Sequence, residues 1–383
     1  MKLNRRNLLW SGLGATLAAA FGRDHLERRA EQAEQAKLKQ LYDPTQVAQE
    51  AFGYDIRTRE ELAAIQQSAK LRSPDIPYSR DWSKLLIVGS KLCTQQYLRG
   101  KVDADYDGSI TALPLYTQGF TTFKQIASFK AAERVDETVP IEVPIELPLA
   151  ALASGRGSGK DLGDRVNQTK EAIKSQVKRV VHLRQKTPVY FGFLLTTAKA
   201  NLLMFRGTQR QSEWLEDVLA VLTPYHNPVD QTAIGNVHLG IYDFYKTFLA
   251  KPVAEAVKLL EPNKPLIVAG HSLGAGLATL AAMDLALLYP KLRTNLQLYA
   301  YAGPRVGDKT FIEAHSQLIP NHYRIINLAD MIPLLPMSKQ FKAEFVHGGE
   351  LWTFLSYQGD ILPNHTAETY RIAIERETET KSE

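Results

Sequence analysis

An α/β fold, with a mostly parallel central sheet and helices on both faces, is what this 383-residue sequence predicts, on three observations. An apolar run, Leu266-Ile267-Val268-Ala269, ends in Gly270-His271-Ser272-Leu273-Gly274, and a long Ala/Leu-rich stretch follows. That reads as strand, sharp turn, helix. A second mostly apolar run, Tyr323 to Leu328, closes on Asp330, which puts a carboxylate at a strand's C-terminal tip, the edge where parallel sheets gather their chemistry. The third observation is bulk: a hydrophobic content of 44% over this length supports a large core, as one main domain with an extension.

Taken in order, residues 1–20 read as an export signal. Lys2, Arg5 and Arg6 precede a weakly apolar run from Leu8 to Ala20, and Ala18-Ala19-Ala20 offers small residues for cleavage. The paired Arg5-Arg6 before Asn7-Leu8-Leu9 is similar to a twin-arginine signal, with Asn4 where a serine is usual. The expectation is export across the cytoplasmic membrane, to a periplasmic or secreted location, or tethering if the signal stays uncleaved. The run is short for a membrane span. A single cysteine, Cys93, rules out an intrachain disulfide and fits folding in a reducing cytoplasm before export. The net charge of +5 is modest and several basic residues lie in the first thirty, so nucleic acid is not an expected partner.

Residues 21–80 read as a charged helical extension, with residues 58–71 in a helical pattern, and residues 81–383 as the main domain. Trp82 to Gln96 is a partly apolar helix. An irregular insertion around residues 101–185 carries no catalytic motif. Within it, Val139 to Pro148 is interrupted by prolines and is not a central strand. Leu162 to Gln185 reads as an amphipathic helix with Val166, Ile173, Val177 and Val180 on one face. Gly155 to Lys160 resembles a phosphate loop only superficially, because Ser154 holds the first glycine position and Asp161 the hydroxyl position. It reads as a surface loop.

The chemistry begins at Ser272. A serine thrust out of a tight turn adopts a strained backbone, and the residues two before and two after it lie where strand and helix nearly touch. Gly270 and Gly274 leave that space free. The competing reading is a small-residue turn with no chemistry. A nucleophilic serine needs a base, and the base an orienting acid. Asp330 lies 58 residues past Ser272, and of the nine histidines only His347 and His365 come after it. His365 sits in a loop, Leu362-Pro363-Asn364-His365-Thr366, that enters a helical pattern from Ala367 to Glu375, and a loop can carry its ring between acid and serine. His347 sits in a strand-like or hairpin segment and is the alternative base, otherwise structural. No His-Glu-x-x-His pattern or paired-cysteine site occurs, so no metal or cofactor is implied.

From Pro188 to near Tyr370 the sequence resembles the class 3 lipases related to fungal triacylglycerol lipases. The resemblance rests on ordered blocks: Leu203-Met204-Phe205-Arg206-Gly207-Thr208, with Trp214 and Asp217 behind it; Val237-His238-Leu239-Gly240-Ile241-Tyr242; the elbow itself; Ala302-Gly303-Pro304-Arg305-Val306-Gly307-Asp308; Asp330 with Ile332-Pro333; and His347 to Trp352. It departs from the family at Ala275, where a glycine is usual, at Asn364, where an aspartate usually precedes the histidine, and at Tyr370, two places late.

The resemblance implies an α/β-hydrolase fold and a serine carboxylic-ester hydrolase with Ser272, Asp330 and His365 as its triad. The N–H groups of Thr208 and Leu273 would form the oxyanion hole, with the Thr208 hydroxyl as a third donor. His238 and His271 are structural. Gln209 to Thr223, with Trp214, Leu215, Val218, Leu219 and Leu222 at helical spacing, lies where a lid would be, or else forms a fixed core-packing helix. The expected partners are a lipid or acyl-ester substrate and a transient membrane or lipid interface. Triacylglycerol, phospholipid and galactolipid are not separated. The other readings are a non-catalytic lipid-binding or interaction module on a hydrolase fold and, less favoured, a peptidase or thioesterase with the same triad.

Overall fold

Apolar, partly β-branched runs become a seven-stranded sheet, and the serine lies at the end of a central strand. The computed structural model describes residues 69–140, 180–207, 221–261, 263–336, 339–340, 343–356 and 361–376. By its internal contacts the chain forms two units, one of residues up to Ala131 and from Tyr190 onward, the other Ala132–Val189. The second unit begins and ends in the far parts of two long strands, β1 (Lys124–Pro140) and β2 (Val180–Thr196). The sheet order is β1, β2, β3 (Asn201–Phe205), β6 (Leu266–His271), β7 (Leu296–Tyr301), β8 (His322–Asn327) and β11 (Glu350–Phe354). β2 and β3 are antiparallel, and every pair from β3 to β11 is parallel. Every residue of β3, β6, β7 and β8 is buried, as a parallel sheet covered on both faces requires. Between these central strands lie two small antiparallel pairs, β4 (Leu222–His226) with β5 (Ala233–His238), and β9 (Lys339–Gln340) with β10 (Ala343–Glu344).

Helix α1 (Arg80–Val102) covers one face. Ser79 caps it by accepting from the Trp82 N–H, Asp81 lies in its first turn, and Arg99 and Lys101 lie in its last, the charge order that a helix dipole favours. Its Leu86, Ile87 and Cys93 pack with Ile267, Ala269, Tyr299, Tyr301 and Tyr323 from the strands. Burial pushes the Cys93 thiol far up, so it stays protonated. After β5 come α2 (Leu239–Phe244), a π turn at Tyr245–Leu249 and α3 (Ala250–Val257). Helix α4 (Leu273–Leu288) packs against β6 and β7. It is apolar on every side and buried along nearly its whole length, so it is an interior helix. Past it lie α5 (Lys309–Leu318), α6 (Ile361–His365) and α7 (Ala367–Arg376), and α7 returns to pack on α1.

Three expectations are corrected. Residues 180–185, read as the end of an amphipathic helix, are strand, because β2 is paired in the sheet and sheet pairing outweighs a local helical pattern. Leu222 and Thr223, read as the end of the candidate lid helix, begin β4, where they pair with His238 and Val237. Residues 69–79 are not helical. They run as an arm whose backbone is tied down by side chains: the Arg72 N–H donates to Ser316 Oγ (2.7 Å), Ile76 N–H to Asn321 Oδ1 (2.8 Å) and Ser79 N–H to the Tyr299 hydroxyl (3.1 Å). These bonds to side chains take the place of the backbone bonds a helix would make. Residues 1–68, Gly155 to Lys160, Thr208, Trp214, Leu215 and Val218 lie outside the described residues.

Candidate active site

Ser272 stands between β6 and α4 at φ 60° and ψ −129°. For a residue with a side chain this left-handed region costs on the order of 1–3 kcal/mol, and it persists only when its surroundings over-determine it. Here they do. The Ser272 N–H donates to the Tyr301 carbonyl (2.9 Å) and the Ala275 N–H to the Ser272 carbonyl (2.9 Å). A Cβ on Gly270 would lie 2.2 Å from the Gly274 carbonyl oxygen, and one on Gly274 would lie 2.6 Å from the Phe205 carbonyl oxygen. Strand, elbow and helix close only with glycine at both places. Ala275, the departure from the family pattern, is accommodated because Gly303 faces it: a Cβ at 303 would come within 2.9 Å of the Ala275 methyl. Gly207, at the exit of β3, lies against the serine, where an added Cβ would be 3.0 Å from Ser272 Cβ. Ser272 is 2% exposed.

Asp330 follows β8 by three residues, and its buried carboxylate accepts three hydrogen bonds. The Ile332 N–H reaches Oδ1 at 3.0 Å, while His365 Nδ1 and the Tyr370 hydroxyl both reach Oδ2 at 2.7 Å. An ionised carboxylate only accepts, so its proximity assigns the imidazole proton to Nδ1 and leaves the lone pair on Nε2. That Nε2 is buried with no hydrogen-bond partner among the described residues. Burial and the Asp330 charge push the Tyr370 phenol far up, so it remains a donor. His365 is not in a loop: it ends the short helix α6. Pro363 is tolerated there because the first N–H groups of a helix have no partner within it.

His271 joins the two halves of the site. Its ring centroid is 4.7 Å from that of His365, and Ser272 is the next residue along the chain. Burial first, and His365 second, hold the His271 imidazole well below its ordinary range, so it is neutral. His347 is committed elsewhere: its Nε2 lies 2.7 Å from the Pro333 carbonyl oxygen, and burial with the Arg324 and Arg305 charges holds it low. His238 caps α2, its Nδ1 accepting from the Gly240 N–H (3.1 Å) and the Ile241 N–H (3.5 Å), and burial lowers it to about 4.

Two contributors were not singled out from sequence. Arg206 is buried with its guanidinium 3.6 Å from the centre of the Tyr97 ring and 4.5 Å from that of Phe191, a stack that holds the chain entering Gly207. Asn327 ties the acid loop to the base. An arginine before a strand-end glycine was a signal available for the first. Nothing local marks the second.

Residues 202–340 match the family model described as lipase (class 3). Among curated proteins, the chain is 36% identical over 149 residues to a secreted mono- and diacylglycerol lipase A of Penicillium camembertii, covering 37% of this chain and 44% of that protein. It is 35% identical over 156 residues to a lipase of Rhizomucor miehei, 40% of this chain and 41% of that one. It is 31% identical over 156 residues to the chloroplastic galactolipase DONGLE of Arabidopsis thaliana, 35% of this chain and 33% of that one. The chain thus spans less than half the length of each of these relatives.

Proposed function

We propose that this chain, whose residues 202–340 match the class 3 lipase family model, is a serine hydrolase of lipid acyl esters, with Ser272 as nucleophile, His365 as base and Asp330 as orienting acid. The observation that carries the reading is the 2.7 Å contact between His365 Nδ1 and Asp330 Oδ2, with the neighbouring elbow holding Ser272 at φ 60°. In this mechanism His365 Nε2 takes the hydroxyl proton as Ser272 Oγ attacks the ester carbonyl. Asp330 holds the ring tautomer and offsets the charge of the imidazolium. The proton then passes to the leaving alcohol, and water releases the acid from the acyl-enzyme by the same steps in reverse order.

Negative charge on the carbonyl oxygen needs donors placed in advance, each worth about 3–4 kcal/mol of barrier. Leu273 heads α4, so its N–H has no acceptor within the helix and lies at the positive end of the helix dipole. Thr208 is proposed as the second donor.

Substrate class is read from chemistry and relatives together. The relatives are named mono- and diacylglycerol lipase, lipase, galactolipase and phospholipase A(1), so the proposal stops at a lipid acyl ester, with polar glycerolipids as the second reading. The burial of Ser272 supports a cover that moves at a lipid surface, and Trp214, Leu215 and Val218 are proposed to belong to it. Export is also proposed, on the basic and apolar start of the sequence and a relative named as secreted.

The test is hydrolysis of a short and a long nitrophenyl ester by wild type and by Ser272→Ala, His365→Ala and His347→Ala. The first two substitutions are expected to abolish turnover and the third to leave most of it; activity that survives His365→Ala but not His347→Ala reverses the base. With the longer ester, the rate per enzyme should rise on crossing the solubility limit, and a flat response removes the moving cover.

A further inference from the structure

Asn327, the last residue of β8, is fully buried and has a hydrogen-bond partner at each of its polar atoms. Its side-chain Oδ1 accepts from the Ser356 N–H (2.9 Å) and the Ala329 N–H (3.3 Å). Its Nδ2 donates to the Ser356 carbonyl (2.8 Å) and to the carbonyl of Asn364 (2.9 Å), the residue directly before His365. Its backbone carbonyl accepts from the Asp330 N–H (2.9 Å), and its backbone N–H donates to the Tyr370 hydroxyl (3.0 Å). The amide orientation is set by these partners, since its oxygen faces two N–H groups and its nitrogen two carbonyls.

We propose that Asn327 is a positioning residue that sets the His365–Asp330 pair, holding the backbone of the base through Asn364 and the backbone of the acid through its own carbonyl. The inference rests on the hydrolase reading. Asn327 also fixes the direction of a proton. Because the Tyr370 oxygen accepts from the Asn327 N–H, its own hydrogen is turned towards Asp330 Oδ2, the oxygen that His365 Nδ1 also contacts. Acid, base and tyrosine are thereby referred to the side chain and the two backbone polar groups of one residue. Two approaches to a reacting geometry that differ by about an ångström differ in rate by about 10²-fold, so such a reference point matters to turnover and not only to folding.

The test uses the full chain, with Asn327→Ala and Asn327→Asp. The aspartate keeps the shape and the acceptor facing Ser356 and Ala329 but cannot donate to Asn364. The measurements are kcat and KM on a soluble short-chain nitrophenyl ester, Tm, and the low-field proton resonance of the His365 Nδ1–H. The expected result is a fall in kcat of about ten- to a hundredfold in both variants. KM should stay within about threefold, and the resonance should shift or vanish. A kcat within about twofold of wild type in a folded variant overturns the proposal. So does a loss that disappears when each variant is assayed well below its own Tm with the resonance unmoved. If the alanine variant does not fold, the aspartate variant decides. A wild type that shows the resonance yet turns over no ester sinks the hydrolase reading instead, and the resonance still reports whether Asn327 sets the pair.

Discussion

Ser272, the proposed nucleophile, is held by its backbone, whereas Asp330 and His365, the proposed acid and base, are held by side chains. On the serine side, β6 and α4 meet so closely that only glycine fits at 270 and 274, and the strained φ of Ser272 follows from that closure. Few side-chain hydrogen bonds take part. On the other side, Asp330 and His365 stand on separate elements 35 residues apart, and a mesh of Asn327, Tyr370 and backbone groups sets their relation. Steric closure is local and tolerates no added atom. A hydrogen-bonded mesh is distributed and loses function in portions.

Substitutions on the two sides should therefore fail differently. The largest effect is expected from Asp330→Asn, which presents an amide donor to His365 and favours the wrong tautomer. kcat on a soluble ester should drop by about 10⁴-fold with little change in Tm. A drop smaller than tenfold would mean that this carboxylate does not orient the base. Gly270→Ala should act the other way, through folding. The new methyl meets the Gly274 carbonyl at 2.2 Å, and overpacking of this kind costs about 1–3 kcal/mol. A thermal melt unchanged from wild type would show that the elbow has slack. Tyr370→Phe removes one of three bonds on the carboxylate and should lower kcat by about tenfold, the scale of a hydrogen bond to a charged group. An unchanged kcat would limit the mesh to Asn327 and the backbone.

The smallest effect is a pH dependence to which the serine side contributes through two histidines. His238 caps the helix that places Ile241 against Gly276 of α4, and His315 bonds the backbone of Thr279 in α4, so both brace the helix behind the serine. Burial lowers each from an ordinary 6.5 to about 4. In that window the unfolded chain binds protons that the folded chain refuses, so this contribution is present above pH 6.5 and is lost as pH falls towards 4. Tm should decline over that range, and His315→Gln should make the decline shallower. An equal decline in the variant would assign the acid sensitivity elsewhere.

The same contrast explains what the sequence made legible. Ser272, its glycines, the flanking strand and the interior helix follow from the one continuous stretch Leu266 to Leu288, where local sterics decide. Asp330 and the order acid-then-histidine follow from strand tips and chain order. His365 contacts Asp330 and His347 contacts the Pro333 carbonyl, and the loop expected around His365 is a short helix. What was missed is long-range: β2 took residues that read as helix because a ladder outweighs an amphipathic stripe, and Leu222 left the candidate lid for a strand partner at His238. Asn327 looked like any polar strand end, because its four side-chain partners come from Ala329, Ser356 and Asn364.

The C-terminal docking of α7 on α1 has a consequence for the order of synthesis. Tyr370 reaches Asp330 from α7, and the Arg80 guanidinium of α1 grips the Ile374 carbonyl. A chain translated as far as residue 355 carries the elbow and Asp330 but neither His365 nor Tyr370, the two side chains that contact that carboxylate. On the proposed reading, Asp330 and His365 can pair only after α6 has been made, and Tyr370 can support them only once α7 has docked on α1.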